Sequence, residues 1–313
     1  MKRIAALLNP AGGKGRARRL WKRLRRDFPG PVGDMTLFAS RRPGEMEQLA
    51  RRAAEEGFER ILVIGGDGTL FETVNGLMDH SGHPRQGSLA VSALPAGSSC
   101  DFLRSFPMPY QFESVLPALQ QSPPCQLDLM QLILDDNPEK GSRICLNAAS
   151  FGLSGKAACS AGRAFAFLPP AIGYLSGFFV HLPLFQPIHA EVTMNGQAWY
   201  QGSLWNLFLC NGRFSGGGML WAPDADMHDG RADVLLIQPV PWRRVPGYVP
   251  KLFDGTLQRV AEARTSRVAE MEIRLDRTVD AELDGEPYRF RSIRMKMLPG
   301  VLPWIMPVLP VTS

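Results

Sequence analysis

Short apolar runs alternate with helical periodicities through the first third of the chain. "RIAALLN", "DMTLFAS", "RILVIGG" and "SLAVSALP" read as strands, and "GEMEQLARRAAEEG" and a stretch from about Leu70 read as helices. Strand and helix in alternation predict a parallel sheet. After about residue 125 the period falls to two. "HAEVTMNGQAWYQG" places Asn195-Gly196 between two alternating runs, a hairpin signal, and "MEIRLD", "VDAELDGEPY" and "RFRSIRMKM" continue the alternation. The pattern predicts α/β + β: an α/β domain over 1–125 and a mainly antiparallel β domain over 126–297, with 298–313 returning to the first.

One segment breaks both periods. Between Ala164 and Ala190 no charged residue occurs, which raises a membrane span. Pro169-Pro170, Gly173, Gly177 and Pro183 would interrupt its backbone ladder, which leaves a buried helix or a greasy lip beside a substrate as the alternatives.

Composition narrows the class. With 313 residues, 45% of them hydrophobic, the chain has material for a sizeable core and is neither disordered nor fibrous. Five cysteines without a CxxC pair argue against a disulfide framework or zinc ribbon and suit a reducing, cytoplasmic setting. The apolar run of "MKRIAALLNP" is too short for a signal peptide. His80 and His83 form an HxxH without a third ligand nearby. The net charge of +5 suits an anionic partner, and "KGRARRLWKRLRR", Lys14 to Arg26, holds two lysines and six arginines around Leu20, Trp21 and Leu24. That segment is either a solvated helix face or a face for anionic headgroups; no nucleic-acid motif accompanies it.

The chemistry concentrates where strands end. In Gly65-Gly66-Asp67-Gly68-Thr69 a strand runs into glycines and then a helix start, which presents backbone N–H groups to a phosphate. Thr69 is expected to cap that helix and Asp67 to hold magnesium or a water. The segment is not a Walker A loop, nor GxGxxG, because Phe71 stands at the last position. "LLNPAGGKG" and "SALPAGSSCDF" follow two further strands. Each alone could be a turn; three such loops at carboxyl ends of parallel strands would meet in one crevice.

Asn9-Pro10 with its glycines, "GGDGTLFETVNGL", "LPAGSSCDF", "GGGMLWAPDADMHDGRADV" and "LDGE" occur in an order that resembles the diacylglycerol-kinase-type lipid kinases, the group that includes sphingosine and ceramide kinases. The resemblance runs from about residue 3 to 298. It implies an N-terminal domain taking ATP, a C-terminal β-sandwich and an active site between them. It also implies nucleotide contacts from Gly65, Gly66, Asp67, Gly68, Thr69, Leu70 and Phe71, with Asn9, Ser40, Glu72, Asn75 and Ser98 completing the set. Ser40 and Ser98 stand at threonine positions and keep the hydroxyl, whereas Cys100 replaces a usual asparagine with a group that cannot hydrogen-bond two ways.

By the same resemblance the Asp229 side chain, with the carbonyls of Asp226 and Arg231, would take a structural magnesium ion. From letters alone Asp229-Gly230 is a turn. Asp284 and Glu286 flank a glycine in what also reads as a hairpin; a close carboxylate pair can furnish a general base, and the resemblance assigns that task to this motif without ranking the two. The expected partners are therefore ATP with Mg2+, a lipid substrate, an anionic membrane surface and a homodimer, without nucleic acid. A soluble-substrate kinase of the NAD-kinase type and a silent lipid- or nucleotide-binding protein are the alternatives.

Overall fold

The computed structural model of the chain describes residues 2–85, 89–108, 110–137 and 141–308. Ser88, at the start of the fourth strand run, and the tail beyond Val308 lie outside them. The chain divides into two compact units, Met1–Leu127 with Gly300–Ser313, and Asp128–Pro299.

The first unit is built from β1 (Ile4–Leu8), α1 (Gly12–Asp27), α2 (Pro29–Gly33), β2 (Thr36–Ala39), α3 (Glu45–Glu55), β3 (Arg60–Gly65), α4 (Asp67–Leu77), β4 (Ala90–Pro95), α5 (Asp101–Arg104) and α6 (Phe112–Gln121). Its strands lie in the order β4-β3-β1-β2, all parallel, with Ile4 opposite Arg60 and Arg60 opposite Ala90. Every residue of β1 and β3 is buried, as expected for strands covered on both faces. Arg60 is the charged exception. Its guanidinium donates to the carbonyls of Ala118, Leu119 and Ser122, placing a cation on the C-terminal end of α6, where the helix dipole favours it.

In α1, residues 13–15 are left-handed, so the regular helix starts at Arg16. Ala17, Trp21 and Leu24 form its buried stripe, and all eight basic residues from Lys14 to Arg26 are exposed. Residues after Gly300 add a strand beside β4 and seat Trp304, fully buried, against Phe102 and Phe106, with its indole N–H donating to the Tyr110 hydroxyl.

The second unit contains β5 (Cys125–Leu134, whose first residues belong to the first unit), β6 (Ser142–Cys145), β7 (Ala148–Gly152), α7 (Leu153–Arg163), α8 (Pro170–His181), β8 (Ile188–Met194), β9 (Gln197–Leu204), β10 (Asn206–Cys210), β11 (Phe214–Ser215), β12 (Met219–Leu220), β13 (Ala232–Ile237), α9 (Val245–Tyr248), α10 (Lys251–Asp254), β14 (Ala263–Val268), β15 (Glu270–Leu283) and β16 (Glu286–Trp304, to Pro299 in this unit). Its pairings are antiparallel, in the order β14-β13-β10-β7-β15-β16. A register shift between Arg274 and Val279 bends β15, which pairs β8 before the bend and β7 after it. Asn195 and Gly196, both at positive φ, close the expected β8–β9 hairpin.

The uncharged segment holds the twelve-residue α8 with its flanking loops; among the described residues no helix is long and apolar enough to cross a membrane. α8 realises the buried-helix alternative for that segment, with an exposed outer side, and α7 is a helix the pattern does not predict. The core of this unit is aromatic, with Phe208 stacked on Trp221 at 3.9 Å.

Candidate active site

β3 passes into α4 through one residue, Gly66, and that explains the abrupt change of pattern at this point in the sequence. The helix begins at Asp67, three residues ahead of the expected start. This corrects the role expected of Thr69: Gly66 is the N-cap, and Thr69 lies buried in the first turn, its hydroxyl accepting from the Asn9 amide at 3.2 Å.

The three strand-end loops do meet. The Asn9 N–H donates to Ile64 O, Ala96 N–H to Gly65 O, and the Arg16 guanidinium to Gly97 O. Gly66 and Gly97 pack backbone to backbone: a Cβ built on Gly97 would lie 2.3 Å from Gly66 Cα. Ser40, at the end of β2, joins through its N–H to Leu8 O, and Ser98 is exposed on the third loop. The first turn of α4 thus opens where three glycine-bearing loops converge, the arrangement that receives phosphate on backbone N–H groups.

Asp67 has a further task. Its Oδ2 accepts from Asp101 N–H at 3.0 Å and Ser99 Oγ at 3.3 Å, and its Oδ1 from Phe102 N–H at 3.2 Å. The carboxylate therefore fixes the third loop to α4. Burial pushes its pKa above the ordinary carboxylate value, against the opposing pull of those donors.

Cys100 sits just before α5 in the left-handed region, φ 54° and ψ 46°, with its thiol toward Gly65 O at 3.8 Å. Burial, and then the charge of Asp67, raise that thiol from 9.0 to about 11. Four other expected nucleotide contacts are otherwise engaged. Leu70 and Phe71 are buried in the core, and Glu72 accepts from Gly44 and Met46 N–H at 3.0 Å each, holding the start of α3. Asn75 donates to Phe71 O within its own helix.

In the second unit, Asp284 and Gly285, at φ 48° and 88°, form the two-residue turn between β15 and β16, with Leu283 opposite Glu286. Positive φ at both central residues makes this a type I′ hairpin. The hairpin reading and the chemical reading both hold, because Asp284 is more than a turn former. Its carboxylate is buried and accepts three backbone N–H groups: Leu146 at 2.7 Å, Asn147 at 3.0 Å and Ala148 at 2.9 Å. Glu286, two residues on, is half-buried.

Reading the sequence missed Glu282. This buried acid accepts from Ser150 Oγ at 3.1 Å and from Gly285 N–H at 2.8 Å, and so ties the turn back onto β7. Asn211, buried beneath, donates to Asp128 O and Leu146 O and steadies the loop that grips Asp284. The alternation of β15 carried the only signal for Glu282, since i and i+2 share a face there.

In the loop expected to take an ion, Asp226, Asp229 and Arg231 hydrogen-bond locally. Asp226 Oδ1 accepts from the His228 backbone and lies 3.1 Å from its ring, and Asp229 Oδ1 accepts from Arg231 N–H. Arg267 supplies the cation instead: its Nε lies 3.1 Å from Asp233 Oδ1, its Nη1 lies 3.8 Å from Asp229 Oδ2, and its Nη2 donates to Asp224 O. The loop's one expected carboxylate ligand thus has a guanidinium for a neighbour. Among the described residues no group of three His, Cys, Asp or Glu converges as a metal site.

The second unit also holds an apolar cleft of about 520 Å³, counting its open mouth, walled by Tyr174, Phe178, Trp205, Trp221, Val245 and Leu252. Burial, and next the charge of Glu282, hold the Tyr174 phenol well above its ordinary pKa, which brings this wall within the field of the acid that ties the turn. Asn206, also in the wall, accepts from Ser154 N–H at 2.6 Å and anchors the start of α7. The glycines of "NGRFSGGGM" serve packing here: a Cβ on Gly217 would lie 2.5 Å from the Ala171 nitrogen at the start of α8.

A parallel-sheet unit with glycine loops at its strand ends, joined in one chain to an antiparallel unit carrying a buried acid turn, is the two-domain fold of the diacylglycerol kinase and NAD kinase structures. Residues 3–132 match the family described as diacylglycerol kinase catalytic domain, and residues 147–306 match the YegS C-terminal NAD kinase beta sandwich-like domain. The chain belongs to the YegS-like lipid kinases. It is 30% identical over 263 residues to the "Probable lipid kinase YegS-like" of Pseudomonas putida, covering 83% of this chain and 81% of that one. To the protein of the same name from Stenotrophomonas maltophilia it is 26% identical, with 82% of each chain covered. Among solved structures, a diacylglycerol kinase from Bacillus anthracis superposes with a TM-score of 0.70 at 18% identity, over 97% of this chain and 96% of that one. An NAD kinase from Archaeoglobus fulgidus in complex with ATP gives 0.52 at 14%, over 97% and 94%.

Proposed function

We propose that this lipid kinase transfers the γ-phosphate of ATP to a hydroxyl of a lipid such as a diacylglycerol or a sphingoid-type lipid, with Glu286 as the base. The observation that carries the lipid acceptor is the apolar cleft, whose Trp221 wall stacks on Phe208, the residue opposite Ser150, which in turn donates to Glu282, the acid that holds the Asp284-Gly285 turn. An acceptor whose body fills that cleft brings its polar end toward the turn.

The two acids divide the labour. Asp284 is committed to three backbone donors and fixes the turn, while Glu286, half-buried on the next strand, is the carboxylate placed to take the proton from the acceptor hydroxyl. In the first unit, the N–H groups at Gly66–Gly68 and the exposed Ser98 receive the nucleotide's phosphates, and Asp67 keeps the Ser99–Phe102 loop in place. Magnesium enters only as the counter-ion of the nucleotide substrate. Positioning and charge complementarity are what phosphoryl transfer chiefly asks of a protein, and these loops supply both. The ATP complex of the NAD kinase from Archaeoglobus fulgidus supports the choice of nucleotide.

The test is transfer of labelled γ-phosphate from ATP into a panel of lipids in mixed micelles, with NAD as a soluble acceptor alongside. Label in a lipid, lost in Glu286→Gln, is the expected result. Label in NAD alone, or in no acceptor, would overturn the proposal.

A further inference from the structure

The cleft in the second unit is walled by α8 on one side and by α9 and α10 on another; the first wall is apolar outside as well as inside, and the second exposes Arg243, Arg244 and Asp254 among its apolar residues. α8 carries no charged residue in its twelve positions. Its inner side gives Tyr174, Leu175 and Phe178 to the cleft, while Ile172 and Val180 are exposed. The loops on either side of it expose Phe167 at 73% and Leu184 at 89%. Beside the other wall, Trp242 is 68% exposed and Phe253 is exposed as well. A helix apolar on every side is normally buried in a core or a membrane, and exposed large apolar side chains gathered at one mouth mark a contact surface.

From this lip, which rests on the chain's being a lipid kinase, we infer that the second unit docks by inserting Phe167, Leu184 and Trp242 into the headgroup and upper acyl region of a bilayer. Charge distinguishes a bilayer from a protein partner as occupant. No acidic residue occurs between Ala164 and Ala190, and Trp242 is followed by Arg243 and Arg244, the Arg243 guanidinium lying 5.9 Å from the indole ring. Tryptophan at the headgroup level with arginine beside it is the composition that suits an anionic lipid surface. The cleft supplies the second reason: α8 and α9, which line it, are flanked in the chain by the inserting side chains, so the docking face is built on the elements that wall the cleft an apolar acceptor would fill. The basic face of α1 belongs to the first unit and contributes charge alone, since its apolar stripe is buried.

The experiment is sedimentation with vesicles of phosphatidylcholine containing phosphatidylglycerol, without ATP, at 0.1 and 0.5 M salt. It compares the wild type with the triple variant Phe167→Ser, Leu184→Ser, Trp242→Ser. The wild type should bind at both salt concentrations and the variant at least tenfold more weakly at both. Transfer of phosphate to monomeric short-chain diacylglycerol, without vesicles, should be equal in the two. A variant that binds vesicles as the wild type does overturns the inference. So does a wild type that dimerises in analytical ultracentrifugation while the variant is monomeric, since the face would then cover a second copy. Absence of turnover with intact vesicle binding would count against the proposed reaction and leave the docking face standing.

Discussion

Gly66 and Gly97 touch through their backbones, the first at the turn into α4 and the second on the loop after β4. Any side chain at residue 97 drives these loops apart, because the atom it meets is main chain. Gly97→Ala should lower stability by about 1–3 kcal/mol and kcat/KM for ATP by roughly a hundredfold. Thermal melting and steady-state kinetics read both; an alanine variant with wild-type ATP kinetics would show that the contact does not set the phosphate loops.

Asp284 and Glu286 should fail in different ways. Asp284→Asn replaces one acceptor oxygen with an amide that faces N–H groups, so it should cost about 2 kcal/mol of stability together with activity. Glu286→Gln should leave the melting temperature unchanged and reduce kcat by roughly 10² to 10⁴. A folded, inactive Asp284→Asn beside an active Glu286→Gln would reverse the assignment.

Cys100 occupies a left-handed conformation that asparagine tolerates better. Cys100→Asn should therefore keep kinase activity and gain about 0.5–1 kcal/mol of stability. The thiol also sets an alkaline limit. Its folded pKa of about 11 lies above the ordinary 9.0, so the folded state holds the proton more tightly. Stability from this group is complete below pH 9 and is lost as pH rises toward 11, by about 2–3 kcal/mol in all. Urea melts between pH 8 and 11 should show that decline in the wild type, and a shallower one in the asparagine variant.

Arg267 joins Asp224, Asp229 and Asp233. The guanidinium is partly exposed, so Arg267→Gln should cost only about 1 kcal/mol. Addition of EDTA to the wild type should leave its melting temperature unchanged. A fall restored by magnesium would establish an ion in this loop.

The alternation of strands and helices in the first unit, the period-two strands of the second and the Asn195-Gly196 hairpin were legible because each rests on local pattern. The start of α4 was not, because Gly66 turns the chain within one residue and draws Thr69 inside the helix. Glu72 read as part of a nucleotide motif, yet its partners Gly44 and Met46 come from an earlier helix that the letters do not align with it. The unequal roles of Asp284 and Glu286 were hidden for the same reason: the donors at 146–148 lie far away in sequence. α8 is legible only as a buried helix or a greasy lip because residues 164–181 lack the charged face that gives a helix its period, and α7, eleven residues rich in Ala, Ser and Gly, does not read as a helix at all.

Trp304 completes the core of a unit whose other strands were all made before residue 96. As the chain emerges from a ribosome, the first-made sheet waits for its last strand, whereas Asp128–Pro299 is contiguous and can close ahead of it. Synthesis order and completion order are thus inverted. A message cut short between Tyr110 and Trp304 yields a first unit whose Phe102, Phe106 and Tyr110 lack the indole they pack against, a product for proteases.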